Sequence, residues 1–243
     1  MESNSQSTIV YIENFDEKIK VRYCIQKTGR SPCVVIFPPN PAYGGNIDNK
    51  IVKLLEEVFQ KCGFSTLAVN FNQKNHYNKN NNIYDHLYSG CKVLDWLQSH
   101  NNNISFIWIT GYSFGAYIAA DIAIRRPEIE NFILVSPLVS QDDFSFMVPS
   151  LLNGLIVLGN EDQFIKPNDV EKFYAKLNED NKFNVELIKI DGADHKYKDK
   201  TDELFKSLEN YINIKVATRI AKPVRKKRRK RQKKEKSFDV FED

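Results

Sequence analysis

Five residues, Gly111-Tyr112-Ser113-Phe114-Gly115, constrain this chain more than any other segment, because an apolar run, residues 104–110, leads in and a helical pattern leads out. A strand that turns sharply into a helix leaves no space for side chains where the two elements approach. Glycines on both sides of the serine meet that demand, and the turn lifts the hydroxyl clear of its surroundings. Tyr112 and Phe114 fill the variable positions of this G-x-S-x-G pattern. A serine held in this way is poised to attack once a base and an acid are supplied from further along the chain.

Both are available, each past the end of an apolar run. Asp162 follows residues 155–159, and His195 follows residues 185–190 within Asp191-Gly192-Ala193-Asp194-His195. Strand ends of a parallel sheet form the rim on which open α/β sheets build their sites. The order serine, acid, histidine predicts Ser113 as nucleophile, His195 as general base and Asp162 as the group that orients the imidazole. Glu161, Asp191 and Asp194 are competing carboxylates, and strand-end position favours Asp162. His76, His86 and His100 lack such placement.

Attack by Ser113 on a carbonyl carbon gives an acyl-enzyme, so the expected partner is a small-molecule acyl substrate: an ester, thioester or amide. The oxyanion of the tetrahedral intermediate needs fixed donors. The backbone N–H of Phe114 is one candidate. A second is expected from the loop 38–45, around Ala42 or Tyr43, because Pro38, Pro39 and Pro41 carry no N–H. Tyr43, Tyr112, Phe114, Phe144 and Phe146 are candidates either for an apolar acyl pocket or for the core. This chemistry calls for no cofactor. Cys24, Cys33, Cys62 and Cys91 are too widely spaced for a metal site or redox pair and read as buried free thiols.

Alternation predicts a hairpin over residues 8–12 and 18–26, and the continuous apolar run 33–37 predicts a buried parallel strand. Ile51, Leu54, Leu55, Val58 and Phe59 mark one face of a helix ended by Gly63. Strand patterns at 64–71, 132–136 and 155–159 then alternate with helical patterns around 87–97, 116–126, 170–177 and 204–212. The Asn-rich and Lys-rich segment 72–82 reads as an exposed loop near the site. The fold class is α/β, an α/β-hydrolase fold with a mostly parallel sheet and helices on both faces.

The chain has 243 residues, 42% of them hydrophobic, enough for one sizeable core. Its net charge of +4 hides a division: residues 219–243 hold 12 Lys or Arg against 4 Asp or Glu, leaving 23 and 27 before them. This predicts an α/β-hydrolase domain over residues 1–215 and a disordered basic tail over 216–243. The run 225–234 is too charged to bury. Residues 219–236 suit attachment to a polyanion, nucleic acid or an anionic membrane, and equally a solvated tail without a partner. No run approaches the ~18 apolar residues of a membrane span, and a cytoplasmic protein is expected.

Several segments in one order resemble a family, the small bacterial hydrolases of the α/β-hydrolase superfamily that are similar to dienelactone hydrolases. They are Tyr43-Gly44-Gly45 with Asp48-Asn49-Lys50, Gly111-Tyr112-Ser113-Phe114-Gly115-Ala116, and Arg126-Pro127-Glu128-Ile129-Glu130. Asp143-Phe144-Ser145-Phe146, Gly159-Asn160-Glu161-Asp162 and Gly192-Ala193-Asp194-His195 continue the match. The resemblance implies hydrolase activity with Ser113, Asp162 and His195 as its triad. Where that family carries two histidines in the early loop, this chain has Pro38 and Asn40, and residues 73–82 replace a glycine-rich stretch. That departure motivates an alternative, a catalytically weak hydrolase fold used as a binding module.

Overall fold

A computed structural model describes residues 6–15, 17–26, 29–71, 83–180 and 184–221. The alternating N-terminal segments form a hairpin in which β1 (Gln6–Asn14) pairs antiparallel with β2 (Glu17–Ile25), and Ile12 opposite Ile19 turns into the core. The apolar runs become β3 (Ser31–Phe37), β4 (Ser65–Asn70), β5 (Ile104–Tyr112), β6 (Ile129–Val135), β7 (Asn153–Gly159) and β8 (Val185–Ile190). These eight strands make one sheet in the order β1-β2-β4-β3-β5-β6-β7-β8. Beyond the antiparallel β1-β2-β4 pairings, every neighbour is parallel.

The crossover helices are α1 (Lys50–Lys61), α2 (Ile83–His100), α3 (Phe114–Arg125) and α4 (Pro167–Leu177), and α5 (Thr201–Ala221) follows the last strand. Ile51, Leu55 and Val58 of α1 and Leu204 and Leu208 of α5 cover one face of the sheet. Leu94 of α2, Ile118 of α3, and Val170 and Phe173 of α4 cover the other. The mostly parallel sheet between two helical layers is the architecture that the strand and helix patterns predict.

Helix α1 stops where Gly63 takes a φ of 83°, and the N–H groups of Gly63 and Phe64 return to the carbonyls of Gln60 and Phe59 at 3.0 Å. That double return satisfies carbonyls that a helix end leaves open. Within the sheet, β3 lies between β4 and β5, so the β3-to-β4 crossover runs one way along the sheet and the β4-to-β5 crossover returns past β3. Such a reversal opens a crevice at the carboxyl ends of the strands, which is where a ligand site forms.

Local differences from the sequence reading have identifiable causes. The loop 38–45, read as irregular, contains a 3-10 turn at Pro41–Tyr43. Asn40 caps it through its side chain, and Pro41 sits at its first turn. Helix α5 runs to Ala221, through residues assigned to the tail. Its extension is held by ion pairs from Lys215 to Glu186 and from Arg219 to Glu130, and by Arg219 lying 4.2 Å from the Phe106 ring centre. All four cysteines are free, Cys24 and Cys33 buried and Cys62 and Cys91 half-buried. Among the described residues no helix is long and apolar enough to cross a membrane. The predicted loop 72–82 and the basic run 225–234 lie outside the described residues.

Candidate active site

The turn between β5 and α3 explains its own composition. A side chain at Gly111 would overlap the Gly115 carbonyl, and one at Gly115 would overlap the carbonyls of Phe37 and Pro38. Between them Ser113 adopts φ 57° and ψ −119°, a left-handed backbone that costs a residue with a Cβ about 1 to 3 kcal/mol. Ser113 stands at the N-cap of α3, where serine ordinarily accepts a bond from the first turn of its own helix. Here it makes no such bond. The strained backbone turns Oγ outward instead, 3.0 Å from Nε2 of His195.

The imidazole continues the chain. Its Nδ1 lies 2.7 Å from Oδ2 of Asp162, and the other carboxylate oxygen accepts the Phe164 N–H at 2.9 Å. Ser113, His195 and Asp162 are each less than 10% exposed, at 9, 7 and 6%. Burial at this level removes competing water from both bonds. Residues 82 and 33 positions apart thus meet over the ends of β5, β7 and β8, as their places after apolar runs predict.

Neighbouring loops are tied to each other to hold this geometry. Asn160 accepts the Gly192 N–H at 2.7 Å and donates to Asp191 at 3.0 Å, while the Glu161 N–H bonds the Ala193 carbonyl at 3.0 Å. Two of the three competing carboxylates are occupied elsewhere: Asp191 by Asn160, and Asp194 by the N–H groups of Lys196 and Lys198. Beneath the His195 loop, the fully buried Tyr197 reaches Ser136 Oγ at 2.9 Å and the Val157 carbonyl at 3.3 Å. The Phe164 ring packs nearly perpendicular to the imidazole, ring centres 5.0 Å apart. The roles of Asn160, Phe164, Ser136 and Tyr197 escape sequence reasoning because their partners are 31 to 61 residues away on other loops.

A cavity of about 540 Å³ opens over Ser113 and His195. Its wall includes Asn40, Tyr43, Lys50, Leu138, Asp142 and Lys196. Of the five aromatic candidates, Tyr43, Tyr112 and Phe114 reach the cavity. Phe144 and Phe146 instead pack on Tyr117, with Phe144 also against Phe173, and anchor the segment between β6 and β7. Burial lifts the Asp142 carboxyl above the usual carboxylate range.

The expected oxyanion donors divide. Phe114 is the first residue of α3, so its N–H has no acceptor within the helix, and the helix dipole adds positive potential there. The N–H groups of Ala42 and Tyr43, by contrast, are consumed by the 3-10 turn: Ala42 bonds Asn40 Oδ1 at 2.9 Å, and Tyr43 bonds the Asn40 carbonyl at 3.1 Å. That corrects the sequence expectation for these two residues. The cause is the Asn40 cap, whose side chain takes the first amide after Pro41. Among the described residues no group of three or more His, Cys, Asp or Glu is arranged to hold a metal.

Comparison with known proteins places this geometry among relatives. The chain is 32% identical over 208 residues to the uncharacterized protein RP471 of Rickettsia prowazekii, covering 84% of this chain and 87% of that one. Its structure is similar to that of ATU1826 from Agrobacterium tumefaciens, a protein of unknown function, at 32% identity and a TM-score of 0.80, over 87% of this chain and 97% of the other. It is also similar to an α/β serine hydrolase homologue from Coxiella burnetii, at 26% identity and a TM-score of 0.74, over 84% and 96% of the two chains. The family description that matches residues 19–222 is that of dienelactone hydrolases, and with so much of its length matched the chain belongs to the dienelactone hydrolase family of α/β-hydrolases.

Proposed function

We propose that this α/β-hydrolase cleaves an ester or thioester through an acyl-enzyme. Ser113 attacks the carbonyl carbon and gives its proton to His195; Asp162 fixes the imidazole tautomer and stabilises its protonated form. The alcohol or thiol leaves with that proton. Water then attacks the acyl-enzyme, with His195 as base again. The Phe114 N–H at the start of α3 supplies an oxyanion donor. The observation that carries this reading is the unbroken chain from Ser113 Oγ through His195 to Asp162, at 3.0 and 2.7 Å. The test is covalent labelling by a fluorophosphonate together with turnover of short p-nitrophenyl esters. Both are expected in the wild type and absent in Ser113→Ala. Labelling that survives the substitution refutes the assignment, and a wild type without either activity favours a hydrolase-fold binding module.

A second element of the proposal is attachment to a polyanion through residues 219–236. Arg219, clamped to Glu130 at the start of β6, puts the end of α5 on the sheet edge opposite Ser113. Deletion of residues 222–243 is expected to abolish salt-sensitive retention on heparin while ester turnover stays unchanged. Equal retention of the truncated protein refutes it.

A further inference from the structure

Tyr112 stands immediately before Ser113, at the last position of β5. Its phenol is buried, 4% exposed, and donates to the backbone carbonyl of His195 at 2.9 Å. The two rings lie 5.4 Å apart at 33°. One strand end therefore provides both the serine hydroxyl and a direct grip on the peptide that carries the imidazole. Tyr197 holds the same loop two residues on, but its hydroxyl points down to Ser136 and Val157 and does not touch His195.

We propose that Tyr112 is the positioning residue for His195, its hydroxyl fixing the His195 peptide so that Nε2 stays within hydrogen-bond reach of Ser113. The inference rests on the acyl-transfer reading above and adds a residue to it. Proton transfer needs the two heavy atoms roughly 3 Å apart, and a displacement of about 1 Å costs on the order of 100-fold in rate. Without the phenol O–H, the His195 carbonyl is left buried and unsatisfied. A buried carbonyl in that state bears its full desolvation cost, which favours backbone positions that regain a donor. The cavity borders Tyr112, His195 and Lys196, and a shift of the His195 backbone carries the imidazole with it. Burial also raises the phenol above its ordinary value, so the O–H persists as a donor through the neutral and mildly alkaline range.

The experiment is Tyr112→Phe in the full-length protein, which keeps the ring and removes only the donor. Its readouts are kcat and KM for p-nitrophenyl acetate, the rate of fluorophosphonate labelling, the downfield proton resonance of the His195 Nδ1–H bonded to Asp162, and the thermal midpoint. We expect kcat and the labelling rate to fall about tenfold. KM is expected to stay within about twofold, and the downfield resonance to broaden or move. A raised KM with unchanged kcat makes Tyr112 a substrate contact and overturns the proposal. So does a lowered midpoint with unchanged kcat, labelling and resonance, which marks a structural bond only. A wild type that neither labels nor turns over ester overturns the acyl-transfer reading and this proposal together, whereas equal labelling of wild type and Tyr112→Phe overturns this proposal alone.

Discussion

Asp162→Asn separates a working triad from a merely well-packed trio of polar residues. In the native site one oxygen of Asp162 accepts the Phe164 N–H at 2.9 Å and the other faces His195 Nδ1 at 2.7 Å. An asparagine has the same shape but a single acceptor oxygen. If that oxygen keeps the Phe164 bond, the amide NH2 faces Nδ1 and forces the imidazole proton onto Nε2. Nε2 then points an N–H at Ser113 and has no lone pair to take the serine proton. The opposite amide orientation sets NH2 against the Phe164 N–H, two donors face to face at a side chain with 0% exposure, and is strongly disfavoured. The favoured arrangement is thus the inactive tautomer, and a loss of about 10⁴ in kcat is expected, equivalent to about 5.5 kcal/mol of barrier. Stopped-flow release of p-nitrophenol measures it, with KM and the thermal midpoint as controls for an isosteric change. A loss under about tenfold, with Ser113→Ala inactive in the same assay, refutes the assignment of Asp162 as the orienting acid.

Two further outcomes concern stability. Burial holds the phenols of Tyr112, Tyr197 and Tyr211 above their ordinary value. The unfolded chain therefore ionises first, so stability is full below about pH 10 and falls above it, by up to about 4 kcal/mol per pH unit for three groups. Urea midpoints from pH 7 to 11 check this, and a flat profile above pH 10 contradicts it. Arg22 bonds the Glu56 carboxylate at 2.6 to 3.2 Å and also reaches Asp48 and the Ile47 carbonyl, tying β2 to α1. Arg22→Met leaves Glu56, 8% exposed at its side chain, without that partner and is expected to cost about 3 kcal/mol in chemical denaturation. A cost below about 1 kcal/mol would show the pair to be effectively solvated.

What the sequence reveals and what it hides divide along a physical line. The strand-end places of Ser113, Asp162 and His195 are legible because each requirement is local: glycines where elements touch, and polar residues where an apolar run stops. The core face of α1 was legible for the same reason, since a helix writes its burial into a period of about 3.6 residues. The turn at Pro41–Tyr43 was also local, yet its signal competed with a louder one. Three prolines point to a loop without regular structure, while Asn40-Pro41 is a cap followed by a first-turn proline, and that pairing engages the Ala42 and Tyr43 amides that the sequence reading assigns to the oxyanion. The extension of α5 to Ala221 was hidden because its support comes from Glu130, Glu186 and Phe106 on distant strands. The Tyr112 bond to His195 belongs with these. Its two ends are 83 residues apart, and an aromatic beside the nucleophile carries no mark that separates a core residue from one gripping the base. The strand that leads into Ser113 thus holds the His195 peptide through a position the G-x-S-x-G pattern leaves variable, and on the proposed acyl transfer a substitution there is expected to change the rate of proton transfer without touching any residue the pattern names.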